Sequence, residues 1–252
     1  MTKVIDRSSD ILFALAEVET GLPVSQLATR INLPLSTVYR LLRPLEQRGL
    51  VRRFGEGNYS LGPILISLSR AALKQIAAEL PSIALPFMQQ LAQETGETTM
   101  LAVPSDLGAI CVEVVQSPKP IRYAFEKGRI LPYHAGATAI TLLAFLDAIT
   151  IKQVIEDHKN SYYADGGIIT PETLKSNINN CRAKGYSHTN GEVDPGATGI
   201  GVPIFDQHEK ILASLTLAGP TDRFESDDLA GLIEKVKHCA KEIQECLRKI
   251  GF

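Results

Sequence analysis

Val24-Ser25-Gln26-Leu27-Ala28-Thr29-Arg30-Ile31-Asn32-Leu33-Pro34-Leu35-Ser36-Thr37-Val38-Tyr39-Arg40-Leu41-Leu42 reads as two helices joined by a turn. The first helix carries Leu27, Ala28 and Ile31 on one face, and the turn falls around Asn32 to Pro34. The second buries Val38, Leu41, Leu42 and Leu45, spaced i, i+3, i+4 and i+7, the spacing of an apolar helix stripe. Its opposite face presents Ser36, Arg40, Arg43 and Gln47. Gly49-Leu50-Val51 ends this helix, because glycine accepts the left-handed conformation that a helix C-terminus needs. Val51 to Phe54 and Asn58 to Leu61 follow as short strands, joined by Gly55-Glu56-Gly57, a hairpin signal. Helix, turn, helix and hairpin together predict a winged helix-turn-helix.

Six arginines and a single acid, Glu46, lie between Arg30 and Arg53, in a chain whose net charge is −2. A local positive face on a slightly acidic chain is the footprint of a surface for nucleic-acid phosphates. The expected partner is double-stranded operator DNA. Ser36, Thr37, Tyr39, Arg40 and Arg43 would sit in the major groove, and Arg52 and Arg53 of the wing would reach phosphate or minor groove. The plainer alternative is a small helical domain whose cations are merely solvated. A helix from Asp6 or Ser8 to Glu19 precedes the motif, with the stripe Ile11, Leu12, Leu15 and Val18, Ser8 or Ser9 as cap and Gly21 as stop. Pro44 cannot donate to the Arg40 carbonyl, a defect of about 3 kcal/mol in a helix interior, so a bend is expected near Arg40 to Pro44.

At 252 residues, 44% of them hydrophobic, the chain is long enough for two domains. No apolar run reaches the ~18 residues that span a membrane, and Pro81 and Pro86 interrupt the most hydrophobic region. Met1-Thr2-Lys3-Val4-Ile5-Asp6 lacks the apolar core of a signal peptide, so a soluble cytoplasmic protein is expected. Cys111, Cys181, Cys239 and Cys246 form no Cys-x-x-Cys pair and read as buried structural residues; His188, His208 and His238 are scattered, so no metal is assigned. Pro63 to Leu80 is a helical run with apolar residues on two faces: Ile64, Leu65, Leu68, Ala71, Ala72, Leu73 and Ile76. That suits a linker helix which also contacts another subunit, the alternative being an ordinary buried helix. Pro81 is expected to close it and mark the domain boundary. The expected division is a winged helix-turn-helix over 1–62, a linker helix over 63–80 and a second domain over 81–252.

The second domain alternates helix and strand. Helices are expected over Ser82 to Glu94 (stopped by Gly96), Gly136 to Leu146, Ile151 to His158 and Pro171 to Lys184. A long terminal helix would be capped by Ser226, with Asp227 and Asp228 in its first turn. Strands are expected over Thr98 to Val103, Ala109 to Val115, Ile121 to Phe125, Tyr186 to Thr189, Gly199 to Phe205 and Ile211 to Leu217. This is an α+β arrangement, one antiparallel sheet with helices against it. Leu131-Pro132-Tyr133-His134-Ala135-Gly136-Ala137-Thr138-Ala139 leads into a helix with unusually small residues. Small side chains let a ligand approach free N–H groups at a helix start; tight helix–sheet packing asks for the same residues. No catalytic constellation is present. His134 is the one nearby acid–base candidate and reads as structural, and Gly196-x-x-Gly199-x-Gly201 lacks the spacing and context of a phosphate loop. No catalytic residue and no cofactor are assigned.

Taken together, the chain resembles the IclR family of bacterial transcriptional regulators over nearly its whole length. The first domain is similar at Leu33-Pro34, Ser36 to Leu42, Leu45-Glu46, Arg48 to Val51 and Tyr59 to Gly62. The second is similar at Leu131-Pro132, Ala135, Leu142-Leu143-Ala144, Gly185-Tyr186, Gly191-Glu192, Gly196, Pro203 to Asp206, Gly219-Pro220 and Arg223-Phe224. The resemblance implies a GAF-like effector domain, a helical linker, and homodimers that often pair into tetramers. It also implies that a small carboxylate binds at Ala137 and Thr138, with Tyr123, Leu131, Thr189, Gly199, Thr216 and Ala218 completing the pocket. The family usually has a basic residue at Leu35, Gly-Lys at Ala139-Ile140, and commonly a Gly near His208-Glu209, so the chain departs from it there. The expected function is a ligand-responsive repressor that senses a small organic acid and controls a catabolic or metabolic operon. The rivals are a metabolite-binding protein or enzyme with an appended DNA-binding head, and a DNA-binding structural protein without a ligand.

Overall fold

In the computed structural model the chain divides into two compact units, Met1–Ile76 and Ala77–Phe252. The structure describes residues 3–18, 20–55, 57–76, 79–158, 161–226 and 228–249, without the side chains of 3, 70, 72–76 and 226. Several expectations fall elsewhere: Glu19, Glu56, Ala77, Ala78 and Asp227, and the side chains of Ala72, Leu73 and Ile76, lie outside the described residues.

The first unit runs α1 (Lys3–Ala16), β1 (Leu22–Pro23), α2 (Val24–Arg30), α3 (Leu35–Gln47), β2 (Val51–Phe54), β3 (Asn58–Leu61) and α4 (Ile64–Ile76). Its core gathers Ile11 and Leu15 of α1, Leu27 and Ala28 of α2, Val38, Leu41, Leu42 and Leu45 of α3, and Val51 and Tyr59 of the hairpin. Both helices of the motif end in one way. The Leu33 N–H reaches the Ala28 carbonyl past Asn32, and the Leu50 N–H reaches the Leu45 carbonyl past Gly49. Asn32 (φ 50°) and Gly49 (φ 70°) take the left-handed conformation this closure requires. β1 adds to the hairpin in the order β1-β3-β2, completing a winged helix-turn-helix.

Three expectations in this unit are corrected. α1 begins at Lys3, so Ser8 and Ser9 lie inside it and do not cap it. Gly21 is not its stop, because α1 ends at Ala16. Gly21 instead accommodates the sheet, since a Cβ there would stand 2.4 Å from the Tyr59 carbonyl oxygen. Finally, Pro81 does not close the helix that starts after Pro63. That helix ends at Ile76, and Pro81 lies in the first turn of the next one, where its missing N–H costs nothing. α3 itself passes through Pro44 unbroken; Arg40 and Pro44 are both exposed, so water can take the carbonyl that Pro44 leaves without a donor.

The second unit runs α5 (Leu80–Thr95), β4 (Thr98–Ser105), β5 (Gly108–Val115), β6 (Ile130–Leu131), α6 (Ala137–Phe145), α7 (Ala148–Asp157), β7 (Ser161–Tyr162), β8 (Ile168–Ile169) and α8 (Pro171–Lys184). It closes with β9 (Ser187–Asn190), β10 (Ala197–Phe205), β11 (Ile211–Pro220), α9 (Thr221–Ser226) and α10 (Leu229–Lys249). Six strands form one antiparallel sheet in the order β6-β5-β4-β11-β10-β9. Consecutive residues show that both faces are covered. Thr99 gives its hydroxyl to the Met88 carbonyl of α5, while Met100 joins the core of α6 and α8 on the other face. α6 is buried along Ala137 to Ala144, as a helix apolar all round must be. Its close approach to the sheet depends on Gly201, where a Cβ would lie 2.6 Å from the Ala137 carbonyl oxygen. The tight-packing role of these small residues is therefore real.

Ile121 to Phe125 does not form a strand; the edge position is taken by β6. Side chains satisfy the carbonyls that a ladder would have used: Arg223 donates to Ile121, Thr98 to Tyr123 and Gln116 to Phe125. Arg223 and Lys119 also clasp the buried carboxylate of Glu97, at 3.0 and 2.8 Å, which fastens this segment to the sheet. Ser226, expected at the start of the terminal helix, is instead the last residue of α9, and α10 begins at Leu229. In the β10–β11 turn, Asp206 accepts the N–H groups of His208 and Lys210, and Glu209 is forced to φ 59°. A non-glycine residue there costs about 1–2 kcal/mol. Glu209→Gly is therefore expected to stabilise the protein by about 0.5–1 kcal/mol after the entropy that glycine forfeits, which a urea melt would measure; a loss of stability would contradict the turn geometry.

Candidate functional site

The first site is a basic face. Val38, Leu41 and Leu45 anchor one side of α3 in the core, which turns Ser36, Tyr39, Arg40 and Arg43 outward. Thr37 is half-buried at the first turn. Arg40 and Arg43 have no side-chain hydrogen bond or ion pair among the described residues, whereas Arg30 is held by Glu17 at 3.1 Å. Leu35 is exposed at the head of α3. The two wing arginines diverge, because neighbours in a strand point to opposite faces. Arg53 pairs in register with Tyr59 and lies near Tyr59 and its neighbour Tyr39, while Arg52 pairs with Ser60. Arg52 donates Nε to Ser60 Oγ at 2.9 Å and lines a groove with Leu61, Pro63, Leu65 and Ile66 of the α4 side. The structure thus brings Ser36, Tyr39, Arg40, Arg43 and Arg53 into one exposed region and sets Arg52 apart.

The second site is a cavity between the sheet and the start of α6, with about 370 Å³ of empty space, part of it open to solvent. Tyr123, Leu131, Ala137, Thr138, Thr189, Gly199, Thr216 and Ala218 all line it. They arrive from β6, α6, β9, β10, β11 and the segment after β5. α6 starts at Gly136 (φ 85°) with no side-chain cap, so its first N–H groups have no partner within the helix.

Seven residues that sequence reasoning did not place in the pocket also line it: Glu192, Val193, Asp194, Thr198, Met100, Gly136 and Ala197. The first three belong to the β9–β10 loop. Glu192 Oε2 accepts the Gly136 N–H at 2.9 Å, and Asp194 Oδ2 accepts the Tyr123 hydroxyl at 2.5 Å. Arg129 stands 3.5 Å from Asp194. Burial, above all, pushes the Glu192 carboxyl above its ordinary range, and the Asp165 charge adds to it; burial and the Asp194 bond raise the Tyr123 phenol. The signal for this loop was Asn190-Gly191-Glu192-Val193-Asp194-Pro195-Gly196 itself, a turn-rich connection with two acids. Its threonine hydroxyls are partly committed: Thr138 donates to Thr216 at 2.9 Å, and Thr198 to Thr221 at 3.1 Å.

His134 is not among the cavity's lining residues. Its ring lies 4.2 Å from that of His158, and its Nδ1 is buried with no hydrogen-bond partner. Burial, helped by His158, lowers its pKa from 6.5 to about 4. A neutral ring is therefore favoured by folding. That contribution is complete above about pH 6.5 and is lost as pH falls towards 4. Stability to urea should decline across this window in the wild type and less steeply in His134→Gln; parallel curves would show that this ring is not the titrating group. Among the described residues, no group of three or more His, Cys, Asp or Glu could hold a metal ion, and no helix is long and apolar enough to cross a membrane. Cys111, Cys181 and Cys239 are buried and unpaired.

Both units match models of known domains. Residues 4–54 match the IclR helix-turn-helix domain, and residues 72–245 match the bacterial transcriptional regulator IclR C-terminal domain. The chain is 31% identical over 232 residues to the HTH-type transcriptional regulator KipR of Bacillus subtilis, covering 92% of this chain and 91% of that protein. It is 29% identical over 242 residues to the transcriptional repressor IclR of Escherichia coli, covering 95% and 88%. Among solved structures, an IclR homolog from Microbacterium hydrocarbonoxydans complexed with 4-hydroxybenzoate superposes with a TM-score of 0.78 at 26% identity, over 98% of this chain and 99% of that one.

Proposed function

The chain belongs to the IclR family of transcriptional regulators, and on that premise we propose that it is a repressor whose hold on operator DNA is set by a small organic acid. Regulation of transcription, with DNA bound by the helix-turn-helix unit and an effector by the C-terminal unit, follows from the family. The finer reading is ours. The repressor assignment is supported by the name of the Escherichia coli relative, and the acid by the 4-hydroxybenzoate in the Microbacterium complex. Control of a catabolic or metabolic operon and the absence of catalysis belong to the same reading.

One observation carries it: all eight residues expected to form the pocket line a single cavity at the uncapped start of α6. We assign Ala137 and Thr138 to the carboxylate, through backbone N–H groups, and Tyr123, Leu131, Thr189, Gly199, Thr216 and Ala218 to the body of the acid. Ser36, Thr37, Tyr39, Arg40, Arg43 and Arg53 contact DNA, with Arg52 in a minor part. The head is residues 1–62, α4 is the linker, and the effector domain begins at α5. Ile64, Ile66 and Leu68 of α4 are exposed apolar residues, and a homodimer joined there would present two heads to paired half-sites; tetramers would be pairs of such dimers. The test is a thermal-shift screen of small acids on the full chain. A ligand stabilises by RT ln(1+[L]/Kd), so at least one acid should raise the melting temperature and change protection of the upstream DNA in a footprint. Stabilisation without any effect on the footprint would contradict the reading.

A further inference from the structure

We infer that Glu192 takes up one proton from solvent when a small carboxylate enters the cavity, so that acid and proton bind together; the inference rests on the reading of this cavity as an acid site. A carboxylate needs donors, and beyond the backbone N–H groups at the α6 start the side chains of this cavity have few to offer. The Tyr123 hydroxyl is given to Asp194 and the Thr138 hydroxyl to Thr216. No Lys or Arg is among the lining residues, while two carboxylates are. An anion brought in beside both would meet like charge at low dielectric.

The two acids are not equivalent. Asp194 is compensated by the Tyr123 hydroxyl and by Arg129. Glu192 has the Gly136 N–H and no ion pair among the described residues. The groups that face it are few. From the β7–β8 hairpin come Asp165, which opposes its charge, and the Tyr163 phenol; from the start of α6 comes the Gly136 N–H. None of these is a cation. Glu192 is thus the group that can relieve the repulsion by becoming neutral. Its Oε2 keeps the Gly136 N–H, and Oε1 carries the proton and donates it as a hydrogen bond to the incoming carboxylate.

The loop is built to hold Glu192 in place. The Ala164 N–H reaches the Glu192 carbonyl at 2.9 Å, and Gly191 donates to Ala197 at 2.9 Å. Val193 packs over Gly136, where a Cβ would lie 2.5 Å from Val193 Cγ2. Glu192 therefore meets the acid as a fixed partner and sets which charge state of the pocket can accept it.

The test is calorimetric titration of the full chain with acetate, benzoate and 4-hydroxybenzoate, from about pH 5.5 to 7.5, in two buffers of different ionisation enthalpy. The expected result is that affinity for the acid that binds falls by up to about tenfold per pH unit, with about one proton taken up. In Glu192→Gln, which keeps the shape and an acceptor for the Gly136 N–H, the pH dependence and proton uptake should vanish. The wild-type proton count decides the matter alone should that variant fail to fold. Binding without proton uptake would overturn this inference and leave the acid site standing. If none of the three acids binds, the acid-site reading falls and this inference falls with it.

Discussion

Arg40→Ala is expected to weaken operator binding by about 1–3 kcal/mol and to relax sequence preference at one base pair. Arg40 stands on the exposed face of α3, one helical turn from Ser36, and has no competing partner in the described structure. Long cations on such a face read guanine bidentately when the helix lies in the major groove. Arg53→Ala should instead weaken binding evenly across sequences and lower the salt slope by about one phosphate, near 0.9 in log–log terms. Arg52→Ala should do less than either, because Arg52 is tied to Ser60 on the other face of the hairpin. Fluorescence anisotropy with the upstream region at several salt concentrations separates the three. Unchanged affinity in both Arg40→Ala and Arg53→Ala would show that DNA lies elsewhere.

The second large effect is Ala137→Leu, which should abolish the response to the acid while leaving DNA binding near that of the wild type. Ala137 lines the cavity, and its Cβ already lies 3.3 Å from where a Gly199 Cβ would stand. Three extra carbons there have nowhere to go except the ligand's space, at a stability cost of about 1–3 kcal/mol from overpacking. Thr138→Val is the milder companion. It keeps the shape and breaks the bond to Thr216, for about 0.5–1.5 kcal/mol, so it should weaken the response without abolishing it.

The first unit was legible because its signals are local. The stripe Val38, Leu41, Leu42, Leu45 needed only helical spacing, and Gly49 stopped α3 where glycine was expected to. The end of α1 was misread because Gly21 serves a strand contact with Tyr59, a demand that arises only once the hairpin is folded. Ile121 to Phe125 failed as a strand for a similar reason: its alternation is strand-like, but Thr98, Gln116 and Arg223 claim its carbonyls from distant parts of the chain. The apolar pocket positions came through the family resemblance. The turn-rich loop with its two acids was visible, but the place of Glu192 and Asp194 in the pocket was not, because it depends on that loop closing onto Gly136 and Tyr123, 56 and 71 residues away in sequence.

The central claim is that occupancy of the α6 cavity governs DNA affinity. The chain connects the two units through α4, so in the proposed homodimer an acid bound in one must favour one arrangement of the paired heads over another. The most direct measurement is operator affinity with and without the acid found by thermal shift, in the wild type and in Ala137→Leu. The account predicts a coupling of about 1–3 kcal/mol in the wild type and none in the variant. A full response retained by Ala137→Leu would contradict it and place the effector outside this cavity.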